Sequence, residues 1–435
     1  MGGASRMRRV GTVVVLCAFL ALAFAISASG AITSVLVSRT SAGDLANGYS
    51  STDIGQDISG NGRYVAFDSD ATNLPGGNGT RFLTYLRDVR TGKTALMSKD
   101  NDGHAPSGAA VVNAISANGD VVSFQGSGTG LPGADPDNAE VWVRDRSVNR
   151  TILVSRANNG DPADGEDSVN ASMSANGRYV VFASAATNLP GGGIHGAVPR
   201  VYIRDLRLGR TSLVSRASNG EPIFAYVCGQ SISADGSRIV FRSQDPKLPG
   251  ANGFNRIYMR DLDTGRTTLI DRRSDGVVRA GDHSDCPSIS ANGRFVTFSS
   301  FATNLPGVTS GNPQVFRRDT QANKLVLVSR TTMGQAADGG GVYGQPSADG
   351  RFVAFQAGGT NMPGGGLGYE QAYVRDLQQG RTLLLSRTGD GKAGDGDSSD
   401  VSISADARWA SFTSAASKLG AAPPDRAVFR SGPIP

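Results

Sequence analysis

The chain holds three cysteines, three histidines and two tryptophans in 435 residues, and aromatic residues make up 7% of it. His104, His195 and His283 stand far apart, and no close pair of histidines or cysteines occurs, so the sequence offers no zinc-ligand spacing. No G-x-S-x-G elbow is present to carry a nucleophilic serine. Charge of one sign is also scarce. The formal net charge is +5, and Arg6, Arg8 and Arg9 at the amino terminus account for three of those charges, leaving +2 on the rest. With lysines and arginines spread evenly, this balance excludes a nucleic-acid footprint. Outside the amino terminus there is no long hydrophobic run.

That one run, Val10 to Ile26, follows the basic Arg6, Arg8 and Arg9 and precedes a small-residue stretch, Ser27 to Ala31. The order is that of an export signal. Its length also approaches what a bilayer span requires, so an uncleaved amino-terminal anchor is the alternative. Residues 1–31 are therefore expected to be a signal peptide or membrane anchor, and residues 32–435 a single folded domain. Leu16 before Cys17 does not suit lipidation, which leaves Cys228 and Cys286 as the cysteines of the exported part. Outside the cytoplasm such a pair is compatible with one disulfide.

What the chain has in abundance is glycine, 58 residues, and an internal repeat. The phrase S-A-N-G-R-Y-V-V-F-A-S, Ser174 to Ser184, returns seven times, with its phenylalanine at Phe67, Phe124, Phe182, Phe241, Phe298, Phe355 and Phe412. The spacings are 57, 58, 59, 57, 57 and 57 residues. Each copy divides into four strand-sized pieces: a short run such as Ser288 to Ser290, a tight A-N-G-R turn, a continuously apolar strand such as Tyr64 to Phe67, and, past an A-T-N-L-P-G loop, a third and fourth strand joined by a D-L-D-T-G turn. Continuous apolarity implies burial on both faces, as in a sheet sandwiched between neighbours. Four antiparallel strands per repeat make one blade.

The seventh copy lacks its fourth strand, while an isolated strand of that type, Thr33 to Arg39 (T-S-V-L-V-S-R), stands alone after the leader. Setting it into the last blade completes the sheet and closes the ring. The fold class expected is all-β: a seven-bladed β-propeller of four-stranded antiparallel blades, with residues 33–39 closing the last one and almost no helix. The phrases S-A-D-G-R-F-V-A-F, A-T-N-L-P-G and V-R-D-L resemble the WD-like, TolB-type (PD40-like) β-propeller repeats of exported bacterial proteins. The resemblance covers nearly all of the chain after the leader; it implies the fold and no particular activity.

Candidate site residues are few. Links between blades and between second and third strands are long, for example Ala157 to Asn170, Arg273 to Pro287 and Thr388 to Val401. Propeller geometry puts both sets on one face around the channel mouth, where function tends to be carried. The third strands end in Arg-Asp, giving Asp88, Asp145, Asp205, Asp261, Asp319 and Asp376. Six copies at one repeat position point to turn chemistry and not to catalysis, since aspartate there accepts local backbone N–H bonds. Asp161, Asp164, Glu166 and Asp167, and Asp395, Asp397 and Asp400, form acidic loops with too few ligands for calcium. No catalytic residue, metal site or cofactor is implied. Cys228 and Cys286 fall at nearly equivalent places in blades four and five, where a bridge would staple two blades.

The expected function is an exported, non-enzymatic scaffold that binds an extracytoplasmic protein or other macromolecule through its long-loop face, with no nucleic acid and with membrane attachment, if any, through the leader alone. A hydrolase or lyase site at the channel mouth, with Asp164, Asp285, Asp395 and His283 converging, and a carbohydrate or small-ligand module with tyrosines lining a groove (Tyr226, Tyr343, Tyr369), are the alternatives.

Overall fold

A computed structural model describes residues 1–2, 32–53, 55–165, 167–192, 198–275, 280–308, 311–365, 368–421 and 426–435. Of Val227 and Cys228 it describes the backbone alone. The leader, Glu166 and His195 lie outside the described residues. The chain divides into two units, Met1–Gly30 and Ala31–Pro435.

The second unit is a seven-bladed β-propeller of four-stranded antiparallel sheets. Blade three shows the pattern: Ser168–Met173, Tyr179–Ser184, Arg200–Asp205 and Arg210–Leu213, from the axis outward. The last blade joins both ends of the chain. Thr33–Leu36 pairs with Ala427–Gly432, Thr33 opposite Gly432 and Leu36 opposite Phe429, and Val37 N–H extends the ladder to Val428 O at 2.7 Å. Among the described residues the one helical element is a single 3-10 turn, Ser417–Leu419.

The repeated phrase owes its residues to local bonding. In blade three Ser174 Oγ donates to Asn176 Oδ1 at 2.8 Å and accepts from Tyr179 N–H at 3.0 Å, while Asn176 Oδ1 caps Arg178 N–H at 3.0 Å. Gly177 takes the positive φ, 72°, that closes the turn. The phenylalanine of each second strand sits directly across from an aromatic residue of the third. All seven pairs lie within 5.6–6.1 Å between ring centres, Phe241 tilted on Tyr258 and the other six stacked, Phe67 with Tyr85 and Phe412 with Phe429 among them. The phenylalanines are completely buried. Removing one such ring costs about 3–5 kcal/mol in a core that cannot collapse around the gap.

The first strands are longer than the three-residue run that the sequence suggests. Ser284–Ile289 is an example; its register slips between Asp285 and Ser288, so polar residues that read as loop continue the strand through a bulge. At this bulge Asn170, Cys286, Tyr343 and Asp400 adopt positive φ of 49–57°. Three of the four have their N–H held by a side chain of the preceding blade: Gln125 accepts from Asn170 N–H at 2.5 Å, Ser299 from Tyr343 N–H at 3.1 Å, and Gln356 from Asp400 N–H at 3.1 Å.

A buried polar pair links the start of the third strand to the end of the fourth. In blades five and six Ser329 donates to Gln314 at 2.6 Å and Ser386 to Gln371 at 2.7 Å, with the amide N–H groups of both glutamines on loop carbonyls. Blade four replaces the pair by an ion pair, Arg256 with Asp271 at 3.0 Å, both side chains fully buried. Blade two has Glu140, which accepts from Ser155 through one oxygen while the other is buried without a donor. Burial pushes the Glu140 carboxyl up to about 8.

Glu140 is therefore protonated in the folded protein at neutral pH and ionises on unfolding, so its contribution is complete below about pH 4 and is lost as pH rises through about 8. Glu140→Gln is expected to stabilise the protein by about 1–3 kcal/mol at pH 8 and by little at pH 4, checked by denaturant melts at both. Asp271→Ser strands the Arg256 charge and is expected to cost about 3–5 kcal/mol. The double change Arg256→Gln, Asp271→Ser copies blades five and six and is expected to recover most of that loss in the same assay.

Candidate functional site

The first strands line an axial channel that changes character along its length. At the tight-turn end one apolar side chain per blade points inward: Ile58, Ile115, Met173, Ile232, Ile289, Pro346 and Ile403. Gly60 and six alanines, Ala117 to Ala405, stand next to them, and the free space is only about 80 Å³. Toward the long-loop face the channel opens into a polar cavity of about 260 Å³, walled by Asp53, Gln56, Asn113, Asn170, Gln230 and Gln345, with Cys286 and Ser288.

The polar groups of this cavity are held within their own blade or by a neighbouring one. Asn113 Nδ2 donates to Gln125 Oε1 at 3.1 Å, Gln230 Nε2 donates to Asn170 O, and Ser288 Oγ donates to Gln345 Oε1 at 2.8 Å. These bonds consume donors. Asn113 Oδ1 and Gln230 Oε1 are left buried with no donor, on residues that are 2% and 5% exposed. A buried acceptor without a donor costs roughly 1–3 kcal/mol, and in a polar cavity it is met by water or by a ligand that brings N–H or O–H groups.

Asp53 adds a carboxyl group to the wall, and Asp57 and Asp400 stand outside it. Asp57 is completely buried, and neither of its oxygens has a hydrogen bond of normal geometry. Burial, then the carboxylates of Asp53, Asp68 and Asp400, raise it well above the usual range. Asp400, also raised by burial, accepts from Ser399 Oγ at 2.8 Å. Of these carboxyl groups only Asp53 belongs to the wall of the cavity.

The residues singled out from the sequence take other places. Asp88, Asp205, Asp319 and Asp376 each accept two backbone N–H bonds from their own turn, and Asp145 accepts from Ser147 N–H at 2.9 Å. Asp261 accepts from Thr264 N–H at 2.9 Å. Their ionic partner is not the adjacent arginine but the one closing the A-N-G-R turn: Arg63, Arg178, Arg294 and Arg351 at 2.5–2.6 Å, and Arg238 at 3.2 Å. Arg63 beside Asp88 and Arg294 beside Asp319 hold those carboxyls well below the usual range. Blade four has Ser237 at that position and uses Arg238 one residue on, and blade two has Asp120 there, so among the described residues Asp145 has no such pair. The adjacent arginines serve the seams instead. Arg87 reaches Thr40 O at 2.8 Å, Arg204 reaches Arg156 O at 3.3 Å and Arg375 reaches Thr331 O at 2.9 Å, each in the preceding blade.

The acidic loops are staples. Asp164 accepts from Thr187 N–H and Oγ1 at 2.6 Å, and Asp395 from Ser417 Oγ at 2.8 Å and Lys418 N–H at 2.9 Å. Asp167 and Asp397 cap Ala139 N–H and Glu370 N–H, and Asn159 donates to Asp161 at 2.6 Å. Asp285 pairs with Arg242 at 2.6 Å, and His283 Nδ1 accepts from Asn255 N–H at 3.0 Å. Asp164, Asp285, Asp395 and His283 do not share a pocket with the polar cavity, whose walls include none of them. Among the described residues no three His, Cys, Asp or Glu side chains stand close enough to hold a metal ion. His104 lies on the surface with Asp100 at 3.2 Å.

The cavity residues themselves carry no signal in the sequence. Gln56, Asn113 and Gln230 occupy the position two before the inward apolar residue, where the other blades have Ala171, Pro287, Gly344 and Val401. A position that varies from blade to blade lies outside the repeat pattern.

Fold and channel together define a closed β-propeller with a polar mouth and an apolar collar. No protein-family profile matches the chain, and no curated protein sequence matches it. Solved structures of similar fold include oligogalacturonate lyase from Vibrio parahaemolyticus, with TM-score 0.54 and 9% identity over 92% of this chain and 96% of that one. The β-propeller domain of the trilobed protease from Pyrococcus furiosus matches with TM-score 0.54 and 12% identity over 89% and 94%. TolB from Acinetobacter baumannii matches with TM-score 0.41 and 13% identity over 86% and 80%. At these identities the likeness is one of fold.

The bridge expected between Cys228 and Cys286 involves a side chain outside the described residues. The backbones are neighbours: a Cβ built on Gly229 would come within 2.8 Å of Cys286 Cα. We propose that the two thiols are joined under oxidising conditions, and non-reducing peptide mapping is expected to recover Cys228 and Cys286 in one linked species that reductant separates. Recovery of both as alkylated thiols from protein kept under oxidising conditions would overturn this.

Proposed function

We propose that the protein is an exported, non-enzymatic binding propeller that engages an extracytoplasmic macromolecule at its long-loop face, with the polar cavity as the anchor point. The supporting observation is the pair of buried, donorless oxygens, Asn113 Oδ1 and Gln230 Oε1, on the wall of a cavity that also carries the Asp53 side chain. Such a mouth suits a group rich in N–H or O–H, above all a cationic one such as a lysine or arginine side chain of a partner protein. A cavity of about 260 Å³ is the size of one side chain or chain terminus and is small for a free ligand, since pockets that hold a whole small molecule run to about 300–1,000 Å³. The basic and apolar leader, Arg6 to Ile26, supports export.

The carboxylates and histidine of the hydrolase or lyase alternative do not converge in the polar cavity: Asp164 and Asp395 accept from loop N–H and hydroxyl groups, His283 Nδ1 accepts from Asn255 N–H, and Asp285 pairs with Arg242.

The reading is tested with Gln56→Lys, which places an ammonium among the cavity's own acceptors. The protein from Ile32 onward is used as bait against native envelope and culture medium, with wild type and variant compared at equal thermal midpoint. The expected outcome is a partner retained by wild type and lost at least tenfold in the variant. Retention of the same proteins by both forms would show that the mouth is not the anchor.

A further inference from the structure

Positions shared by all seven blades serve the fold, so a local function is best sought where one seam departs from the repeat. The seam between blades four and five is one that departs. In the other seams the arginine before the turn aspartate, or its counterpart, is joined by a hydroxyl of the fourth strand: Thr94, Thr151, Thr211, Thr267 and Thr382 for Arg87, Arg144, Arg204, Arg260 and Arg375, with Ser34 beside Ser431 in the closing blade. In blade five that residue is Leu325, and Arg318 is left with Asn323 Oδ1, the counterpart of the Arg144–Asn149 bond of blade two, and with the backbone oxygen of Arg272 at 2.9 Å.

A second guanidinium joins it there. The residue after the fourth strand is basic in every blade, and Arg39, Arg156 and Arg216 fold back onto glycine carbonyls of their own loop. Arg272 crosses to blade five and donates to the same Asn323 oxygen at 3.2 Å, and among the described residues its Nε, like those of Arg156, Arg330 and Arg387, is buried without an acceptor. Two cations thus share one neutral acceptor. Burial first, then the charge of Arg272, lower the Arg318 guanidinium to about 10.

These groups line a groove of about 310 Å³ on the outer flank, together with Arg238, Arg266 and Asp261. Asp261 is already occupied by Arg238 at 3.2 Å and by Thr264. Arg266 is exposed and, among the described residues, makes no side-chain hydrogen bond or ion pair. Among the described residues Arg266, Arg272 and Arg318 are thus three guanidinium groups of one groove that are paired with no carboxylate, its Asp261 being held by Arg238. Guanidinium forks match the paired oxygens of phosphate and sulfate, and such contacts strengthen when partly desolvated.

We propose that this groove binds a tetrahedral oxyanion, phosphate or sulfate, either as the free ion or as an ester on a small ligand. The site is independent of the channel mouth and of any partner that docks there.

The test is titration calorimetry with sodium phosphate, sodium sulfate and glycerol phosphate, each at ionic strength matched with sodium chloride. Wild type is expected to bind at least one of these ions saturably with one site per chain. Arg266→Gln, an exposed change that leaves the fold's bonds intact, is expected to weaken binding at least fivefold, and Arg272→Gln at least tenfold. Arg210→Gln, the repeat equivalent of Arg266 in blade three, is expected to leave it unchanged. Tighter binding of glycerol phosphate than of phosphate would make it an ester site, and equal binding an inorganic-ion site; either supports the proposal. Absence of saturable binding by wild type, or equal weakening by Arg266→Gln and Arg210→Gln, would overturn it. Arg266→Gln decides the matter on its own if Arg272→Gln fails to fold.

Discussion

Around the tight-turn end of the channel the seven blades join in one closed belt of backbone hydrogen bonds. Gly60 N–H donates to Ala117 O, Ala117 to Ala175, Ala175 to Ala234, Ala234 to Ala291, Asn292 to Ala348, Ala348 to Ala405, and Asp406 back to Gly60, all within 2.8–3.3 Å. A belt of this kind closes only if every blade delivers a donor and an acceptor at the same radius and height. The narrow range of the repeat length, the small residue ahead of each Asn-Gly or Asp-Gly turn, and the confinement of insertions to loops all answer that demand. A larger side chain at Gly60 would meet Ala117 and Ala405 at 3.3–3.5 Å, where one methyl group per blade already fills the ring.

The belt also governs the chemistry available at the axis. It places an inward apolar side chain one residue before the serine of each turn, so the tight-turn end is dry and nearly filled. Polar character begins only beyond the bulge, where the first strands diverge toward the long loops. The bulge residues with positive φ lie at this boundary, and side chains of the preceding blade hold the N–H groups of Asn170, Tyr343 and Asp400. Strained backbone often marks active sites. Here its recurrence from blade to blade, braced by a neighbour, makes it part of the seam. What differs between blades is the side chain two residues before the inward apolar one, and there the donorless oxygens of Asn113 and Gln230 gather.

Much of the fold was legible because the repeat obliges the same residue to solve the same problem seven times. The buried phenylalanines, the serine and asparagine of the turn, and the amino-terminal strand that completes blade seven could all be read from spacing. The partner of the turn aspartates could not. Adjacent charges such as Arg87 and Asp88 point to opposite sides of a strand, so Asp88 meets Arg63 across the sheet and Arg87 meets the preceding blade. The first strands were also under-read, since their polar bulges interrupt the alternation by which strands are recognised. The cavity and the flank groove were invisible for the opposite reason. Each is built from departures: Gln56, Asn113 and Gln230 at a position that tolerates alanine and proline, and Leu325 at one that elsewhere holds a hydroxyl.

Those departures have a direction. A repeat protein keeps each buried polar position satisfied by one residue pair copied around the ring, as Gln314 with Ser329 and Gln371 with Ser386 show. Where a copy changes and its partner changes with it, as in Arg256 with Asp271, the substitution closes on itself and calls for nothing from outside. Where a copy changes and the partner does not, charge or bonding capacity is left over. The mouth has a surplus of acceptors and the blade four–five flank a surplus of cations, so the two places call for opposite ligands. On the two readings proposed, a donor-rich group docks at the axis and an oxyanion at the rim. One ring of closed sheets thereby presents two chemically distinct faces, each set by the few positions where its blades stop copying one another.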